Sequence, residues 1–253
     1  MSTIIAVTNQ KGGVGKTTTS SALIAGLTAH NKKVLGVDLD PQGNLGFSLG
    51  IDIEDCATIY DVFKANASTQ EAIQHTEYGD VIPSNILLST AELEFNRSGR
   101  EFLLQNTLAP IKDQYDYIII DTPPALNILT VNAYVCSDCL IVPMIPEILS
   151  LLGISQLKET IDTVRKFYNP RLNVLGILLN KYNKRMNLTR EVEEMAGQIA
   201  SQLNTIVFDS KIRSSVTVAE APAHGESILT YAPKSNPALD YSEFIEYLLS
   251  VTQ

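Results

Sequence analysis

The stretch "NQKGGVGKTTT", residues 9–19, contains the residue types that bind phosphate groups. Its glycines allow backbone N–H groups to face an anion without a Cβ in the way. Lys16 can bridge the β- and γ-phosphates of a nucleotide, and the hydroxyl of Thr17 can bind Mg²⁺. A second lysine, Lys11, precedes them. The stretch therefore predicts a nucleotide site with one more cation than the phosphate contact needs.

The spacing of this loop departs from the usual phosphate-binding pattern at one position. The end of the pattern G-x-x-x-x-G-K-[ST] is matched by Gly15, Lys16 and Thr17. Its first glycine would fall at Gln10, and the extra lysine, Lys11, follows immediately. The stretch is therefore a deviant form of the P-loop.

Three aspartates are candidate partners of this loop. Asp38 and Asp40 lie in "VDLDPQGN", and Asp121 lies in "YIIIDTPPA". Each lies at the carboxyl end of a predicted strand, where an open α/β sheet binds its ligands. One carboxylate there can hold Mg²⁺, usually through a water, and a second can orient an attacking water. Together with the P-loop, these carboxylates indicate nucleotide hydrolysis.

The elements that must position these residues alternate along the chain. Nearly continuous apolar runs predict buried parallel strands over residues 3–8, 33–39, 116–121, 139–144, 172–180 and 204–208. Helical spacing predicts helices over 16–30 and 151–168. Residues 50–110 have a weaker pattern, which predicts short helices around one strand near Val81 and Ile82. We expect one α/β domain over 1–253, with a doubly wound, mostly parallel sheet and helices on both faces.

Composition limits the classes of protein that the chain can belong to. A formal net charge of −9 argues against a constitutive nucleic-acid binder. Three cysteines do not form a disulfide framework, so we expect a cytoplasmic location. The first residues, "MSTIIAVTNQ", do not read as a signal peptide. No stretch approaches the roughly 20 apolar residues of a membrane span, and no membrane partner is expected.

The motifs together resemble the ParA/MinD family of deviant Walker A ATPases. The resemblance is carried by "KGGVGKTTT", "VDLDPQGN" and "IIIDTPPAL", and it continues through "VPMIPE", "EAPAHGESI" and "YAPKS". Within the family, the chain is most similar to the short, Soj-like partition ATPases. The resemblance implies a P-loop NTPase fold, ATP and Mg²⁺ as cofactors, and weak ATP hydrolysis that DNA and a partner protein stimulate. It also implies a role in plasmid or chromosome partition.

The resemblance also implies an explanation for the second lysine. Lys11 would be the signature lysine that reaches the partner's phosphates across an ATP-bound homodimer, while Lys16 serves its own nucleotide. Gly12 would lie at the dimer interface, where a side chain would obstruct closure. ATP would then favour the dimer, and hydrolysis would remove much of that preference.

The remaining site residues are also implied by the resemblance. Asp40 would position the attacking water, Thr18 would reach the α-phosphate, and Asn180 would read the adenine edge. The implied catalytic set is Lys11, Lys16 and Asp40. The implied nucleotide-binding set is Lys11, Gly12, Gly13, Val14, Gly15, Lys16, Thr17, Thr18 and Asn180. The implied metal set is Thr17, Asp38 and Asp121.

Non-specific DNA binding by the ATP dimer and a ParB-like centromere-binding partner are further implications, with association to the nucleoid. Seven basic residues and no Asp or Glu lie between Arg165 and Arg190. The candidate DNA contacts are Lys184, Arg185, Arg190, Lys211, Arg213 and Lys234. The stretch "KIRSSVTVAEAP" departs from the family, since Ser214 and Thr217 stand where arginines are often found.

Two alternatives share the nucleotide site. A MinD-like ATPase would need a basic amphipathic helix to bind membranes, whereas "NPALDYSEFIEYLLSVTQ" contains no Lys or Arg. We expect its Phe244, Leu248 and Leu249 to pack onto the domain. A related positioning ATPase could move a protein assembly instead of DNA, because the partner selects the cargo.

An iron–sulfur carrier or reductase on this fold is a third alternative. Cys136 and Cys139 form a C-x-x-C pair, and two chains could together supply four thiolates. The segment "YVCSDCLIVPM" instead predicts a helix end followed by a buried strand. Ile128 stands where the iron-protein relatives carry a ligand cysteine.

Overall fold

The computed structural model describes residues 2–145, 151–183 and 189–252. A seven-stranded sheet has the order β3-β4-β2-β5-β1-β6-β7. Its strands are β1 (Thr3–Val7), β2 (Val34–Asp38), β3 (Gln74–Thr76), β4 (Gly79–Ile82), β5 (Tyr117–Asp121), β6 (Cys139–Met144) and β7 (Asn173–Leu179). All neighbouring pairs are parallel except β3 with β4. The predicted doubly wound, mostly parallel sheet is confirmed.

Helices cover both faces of this sheet. They are α1 (Lys16–Ala29), α2 (Asn44–Ser48), α3 (Ile59–Phe63), α4 (Thr69–Ala72), α5 (Ala91–Glu94), α6 (Leu103–Leu108), α7 (Ile128–Cys136), α8 (Leu151–Phe167), α9 (Thr189–Leu203), α10 (Thr217–Glu220), α11 (Ile228–Tyr231) and α12 (Asn236–Thr252). The helices predicted over 16–30 and 151–168 correspond to α1 and α8 and are confirmed. Short 3₁₀ turns cover Ile86–Thr90, Arg100–Phe102, Lys112–Gln114 and Ala221–His224.

The central strands are buried on both faces, which explains their continuous apolar runs. In β1, Ile4 and Ala6 belong to the core beneath α7, α8 and α9. Ile5 and Val7, which point the other way, belong to the core beneath α1 and α12. Because a strand alternates its side chains, two separate helix layers need an apolar residue at every position.

Two predictions for the strands were wrong. Residues 204–208 form no strand but a single parallel bridge, in which Val207 pairs with Ile177. Phe208 of this segment is buried, with its ring 4.8 Å from that of Phe244, whereas Ile206 is half exposed. The region 50–110 contains two strands, not one. The missed strand, β3, is a partly exposed edge strand with the sequence "QHT", so it has no apolar signal.

Helix α12 packs against the sheet with its apolar side. Phe244 and Leu248 are fully buried and Leu249 is nearly so, which confirms the expected packing. Glu243 and Glu246 lie on the exposed side. Across the part of the chain that the structure describes, no helix combines the length and the apolar character needed to cross a bilayer.

Candidate nucleotide-binding site

The candidate residues meet at the carboxyl edge of the three central strands. Val7, the last residue of β1, pairs with Asp121 of β5, and Asp38 of β2 pairs with Asp121 from the other side. The glycine-rich loop follows β1 and leads directly into α1. The strand order therefore brings the loop and the acidic residues together, as their positions in the sequence predict.

Glycine is required inside the loop for two reasons. Gly13 and Gly15 have φ angles of +72° and +90°, in the left-handed region that favours glycine. A Cβ on Gly15 would also lie 2.6 Å from Nδ2 of Asn180. Val14, between them, is buried and anchors the loop to the core. The backbone of the loop is therefore free to surround an anion.

Lys16 lies at the base of this loop and is 6% exposed. Its Nζ donates a hydrogen bond to the carbonyl oxygen of Lys11 at 3.2 Å. Burial lowers the pKa of Lys16, while Asp121 and then Asp40 act in the opposite direction. A bound polyphosphate would supply the negative charge that a buried ammonium group needs.

Asp121 lies beneath the loop and is fully buried. Its two oxygens accept hydrogen bonds from Thr17 Oγ1 at 2.6 Å and from Ser20 Oγ at 2.9 Å. Burial raises the pKa of Asp121 to about 6, although these hydrogen bonds oppose the shift. Ser20 did not emerge from the sequence, because a serine four residues after Lys16 reads as ordinary helix.

Asp38 and Asp40 play different structural parts. Asp38 is fully buried, and its oxygens accept the backbone N–H groups of Asp40 at 2.9 Å and Leu45 at 3.0 Å. Burial, and next the nearby Asp121, raise the pKa of Asp38 well above its usual value. Asp40 lines the cavity described below and accepts a bond from the N–H of Gln42 at 3.1 Å. Asp38 thus shapes the turn that presents Asp40.

Asn180 follows β7 and reaches the opposite side of the loop. Its Nδ2 donates hydrogen bonds to the carbonyl oxygen of Val14 at 2.9 Å and to Thr19 Oγ1 at 3.3 Å. Its Oδ1 is buried and accepts no hydrogen bond from the residues that the structure describes. A buried acceptor of this kind is incomplete without a donor from elsewhere.

One cavity of about 600 Å³ is lined by the P-loop, Asp40 and Asn180. Additional lining residues come from three segments that the sequence did not mark as part of the site: Phe47, Ile212, Ser214, Val218 and Tyr241. Its volume is in the range of pockets that bury a small-molecule ligand.

The candidate DNA contacts are placed unevenly. Lys184 and Arg185, with the side chain of Arg190, lie outside the described residues. Lys211 forms an ion pair with Glu193. Arg213 donates to Asp240 from Nη2 at 2.6 Å and from Nε at 2.9 Å. Lys234 is exposed. Two of the candidates therefore already have carboxylate partners.

The cysteine pair lies in the core. Cys136 ends α7 and Cys139 begins β6, as the sequence predicts, and both are buried free thiols. Burial raises the pKa of both thiols. Metal binding needs the thiolate form, so this environment does not favour an iron–sulfur ligand pair.

The fold and the deviant loop define a P-loop NTPase, and comparison with known proteins identifies the group. A family described as an AAA domain matches residues 2–174. The sporulation initiation inhibitor protein Soj of Bacillus subtilis is 43% identical over 95% of this chain and 96% of its own. The chromosome partitioning protein ParA of Myxococcus xanthus is 41% identical over 94% of this chain and 84% of its own. The chain belongs to the ParA/MinD family, in the Soj-like group of partition and positioning ATPases.

Solved structures share this architecture. Cobyrinic acid a,c-diamide synthase from Mycobacterium smegmatis, with a bound ATP analogue and magnesium, has a TM-score of 0.86. It is 35% identical over 98% of this chain and 95% of its own. The cell division ATPase MinD of Pyrococcus furiosus has a TM-score of 0.79 and 25% identity over 99% of this chain and all of its own.

Proposed function

We propose that this chain is an ATP-dependent dimerising switch that binds ATP with Mg²⁺ and hydrolyses it slowly. One observation carries the proposal: a single cavity is lined both by the phosphate-binding groups of the P-loop and by Asn180, whose buried Oδ1 has no partner among the described residues. Lys16 is the buried cation for the phosphates.

Adenine fits the unpaired acceptor atom of Asn180. Oδ1 of Asn180 accepts hydrogen bonds only, so it suits the exocyclic amino group of adenine. The corresponding oxygen of guanine is itself an acceptor and would leave both groups unpaired. Since burying an unpaired polar group costs about 1–3 kcal/mol, the site favours ATP over GTP.

Magnesium fits the donor set of Thr17 and Asp121. Hydroxyl and carboxylate oxygens are the ligands that this ion prefers, usually with several waters retained. Bound there, Mg²⁺ supplies positive charge to the phosphate oxygens. We expect Asp121 and Thr17 to hold it, as the resemblance implies. Asp38, the third residue of the implied metal set, also fixes the turn that carries Asp40, because its oxygens accept two backbone N–H groups.

Asp40 is the residue for positioning water. Phosphoryl transfer depends on orientation and charge stabilisation more than on covalent chemistry. Asp40 lines the cavity near Lys16, and one of its oxygens is held by the N–H of Gln42. Without a charge-stabilising group from a partner, we expect turnover of roughly 10⁻⁴ to 10⁻² per second.

Dimerisation would complete the site. Gly12 is exposed, and a Cβ there would meet nothing within 4 Å in the single chain. A need for glycine at this position would therefore come from a second copy. Lys11 occupies the same open edge of the loop and would reach the partner's phosphates, so ATP would hold two chains together.

The output of the switch is non-specific DNA binding by the ATP dimer, regulated by a ParB-like partner on the nucleoid. The support is the similarity to Soj and ParA together with the basic run between Arg165 and Arg190. Lys234 is an exposed cation available to phosphates. Because such binding releases counterions, DNA retention should require ATP and fall steeply with salt. Equal retention with ADP would contradict the switch.

Asp40→Ala tests the central claim. The variant should bind ATP and form a dimer in size-exclusion chromatography with light scattering, but it should not hydrolyse ATP. Asp113→Ala is the matched control, because Asp113 is exposed and lies before β5, at the other edge of the sheet. Normal hydrolysis by Asp40→Ala would refute the assigned role. A variant that stays monomeric with ATP and Mg²⁺ would refute the dimer.

A further inference from the structure

We propose that Tyr241 is a positioning residue that fixes the amide of Asn180 so that its Oδ1 reads the amino group of adenine. This inference rests on the proposed ATP site and names the residue that sets its base preference. Tyr241 is 1% exposed and lies in α12, far along the chain from the P-loop. It nevertheless lines the nucleotide cavity.

A continuous chain of hydrogen bonds connects the two residues. The hydroxyl of Tyr241 lies 3.0 Å from Oγ1 of Thr19, and Thr19 accepts a bond from Nδ2 of Asn180 at 3.3 Å. The second hydrogen of the same Nδ2 goes to the carbonyl oxygen of Val14 at 2.9 Å. Tyr241, Thr19 and Asn180 are all buried.

These partners determine which way the amide points. A backbone carbonyl only accepts hydrogen bonds, so the NH₂ group of Asn180 must face Val14 and Thr19. Oδ1 is then the atom left without a partner among the described residues. If the phenolic hydroxyl is removed, Thr19 loses a hydrogen-bond partner and holds Nδ2 of Asn180 less firmly. The bond to Val14 still sets which way the amide faces, but the amide is held less rigidly, and so is Oδ1 for its contact with adenine.

The neighbouring residue of α12 holds another part of the cavity lining. Asp240 accepts a hydrogen bond from the backbone N–H of Arg213 at 2.8 Å and also binds its guanidinium group. Arg213 and Ser214 are also lining residues of the cavity. Two consecutive residues of α12 thus contact residues of the cavity lining, although α12 lies outside the nucleotide-binding motifs.

A tyrosine that contacts the other end of α12 from a neighbouring strand provides a matched control. The hydroxyl of Tyr117 lies 2.7 Å from Oγ1 of Thr252, the last residue of α12. Tyr117 is also buried, but it begins β5 at the edge of the sheet opposite the cavity. Tyr117→Phe therefore removes the same kind of hydrogen bond, between a tyrosine and a threonine hydroxyl, without changing the nucleotide cavity.

The experiment compares the affinities of two nucleotides for each full-length variant. ATP and purine riboside triphosphate differ only in the 6-amino group, and their dissociation constants can be measured by calorimetry with Mg²⁺. One hydrogen bond corresponds to a preference of about tenfold for ATP in the wild type. Tyr241→Phe should reduce that preference to less than about threefold by weakening ATP binding alone, whereas Tyr117→Phe should retain it.

Three results would overturn the inference. Tyr241→Phe could retain the full preference for ATP. It could also weaken the binding of both nucleotides equally, which is the effect expected of a purely structural residue. A wild type without preference would show that Asn180 does not read the amino group. A wild type that binds neither nucleotide would refute the proposed function itself. If Tyr241→Phe does not fold, Thr19→Val removes the middle hydroxyl with little change in shape and should give the same loss of preference.

Discussion

Gly176→Ala should destabilise the protein through one defined steric clash. Gly176 lies in β7, and a Cβ there would approach three atoms of the Phe208 ring at 2.4, 2.6 and 2.7 Å. The ring cannot move away easily. It is 2% exposed and packs 4.8 Å from the ring of Phe244 and 5.6 Å from that of Tyr247. The added methyl group therefore has to displace an aromatic cluster.

The size of the effect follows from two opposing contributions. Overpacking a buried site costs about 3 kcal/mol when neither neighbour can shift. Replacing glycine by alanine restricts the unfolded chain and returns about 0.5–1 kcal/mol. The free energy of unfolding should thus fall by about 2 kcal/mol. For a chain of this size, that corresponds to a melting temperature lower by about 4–8 °C.

Urea denaturation followed by circular dichroism would measure this change. Gly197→Ala is the matched control, because Gly197 lies in α9 and a Cβ there meets nothing within 4 Å. The control should become more stable by about 0.5–1 kcal/mol. Adding Phe208→Leu to Gly176→Ala should cost less than the sum of the single changes. If Gly176→Ala is as stable as the control, the described packing of residues 204–208 is wrong.

Three smaller predictions concern individual side-chain contacts. The hydrogen bond to Gly26, and then Glu246, raise the pKa of His30 above its usual 6.5. The protonated form of His30 therefore stabilises the fold fully below pH 6.5, and this stabilisation is lost as pH rises through the raised pKa. Glu246→Gln should lower this pKa in an NMR titration, and an unchanged pKa would contradict the contact. Asp240→Asn removes the charge partner of Arg213 and should lower the free energy of unfolding in urea by about 1 kcal/mol, because Arg213 is half exposed; no change would count against the ion pair. Thr58→Ala, which breaks the cap of α3, should lower the free energy of unfolding by about 1 kcal/mol, and Thr58→Ser should lower it less. Equal losses in the two variants would show that the hydroxyl group is not the source of the stabilisation.

The placement of the P-loop residues could be predicted from the sequence, because local rules determine it. A strand, a glycine-rich loop and a helix are consecutive, so the placement of Lys16 and Thr17 needs no knowledge of distant residues. The carboxyl ends of parallel strands then bring Asp121 to the same edge. The continuous apolar runs identified the central strands for the same reason, since burial on both faces leaves no polar position.

The rest of the cavity lining could not be predicted in the same way. Tyr241 and Ile212 reach the cavity only because α12 and the segment after α9 fold back over the sheet. Nothing in their local sequence distinguishes them from ordinary core residues. The prediction of a strand over 204–208 was wrong for a related reason. An apolar run in the sequence does not show whether the backbone pairs with a neighbouring strand. The polar "QHT" of β3 shows the converse, since pairing at an edge needs no apolar residue.

The two hydrogen bonds to Asp38 have a mechanical consequence. They attach both ends of the turn from Asp40 to Leu45 to the rigid end of β2. Any displacement of Asp40 therefore carries α2 with it, since α2 begins at Asn44. Beyond α2, Gly50 touches Gly225 so closely that a Cβ on Gly225 would lie 2.9 Å from its Cα. The turn, α2 and the 221–225 segment are thus connected by contacts, and we expect a movement of Asp40 to be transmitted as far as Gly225.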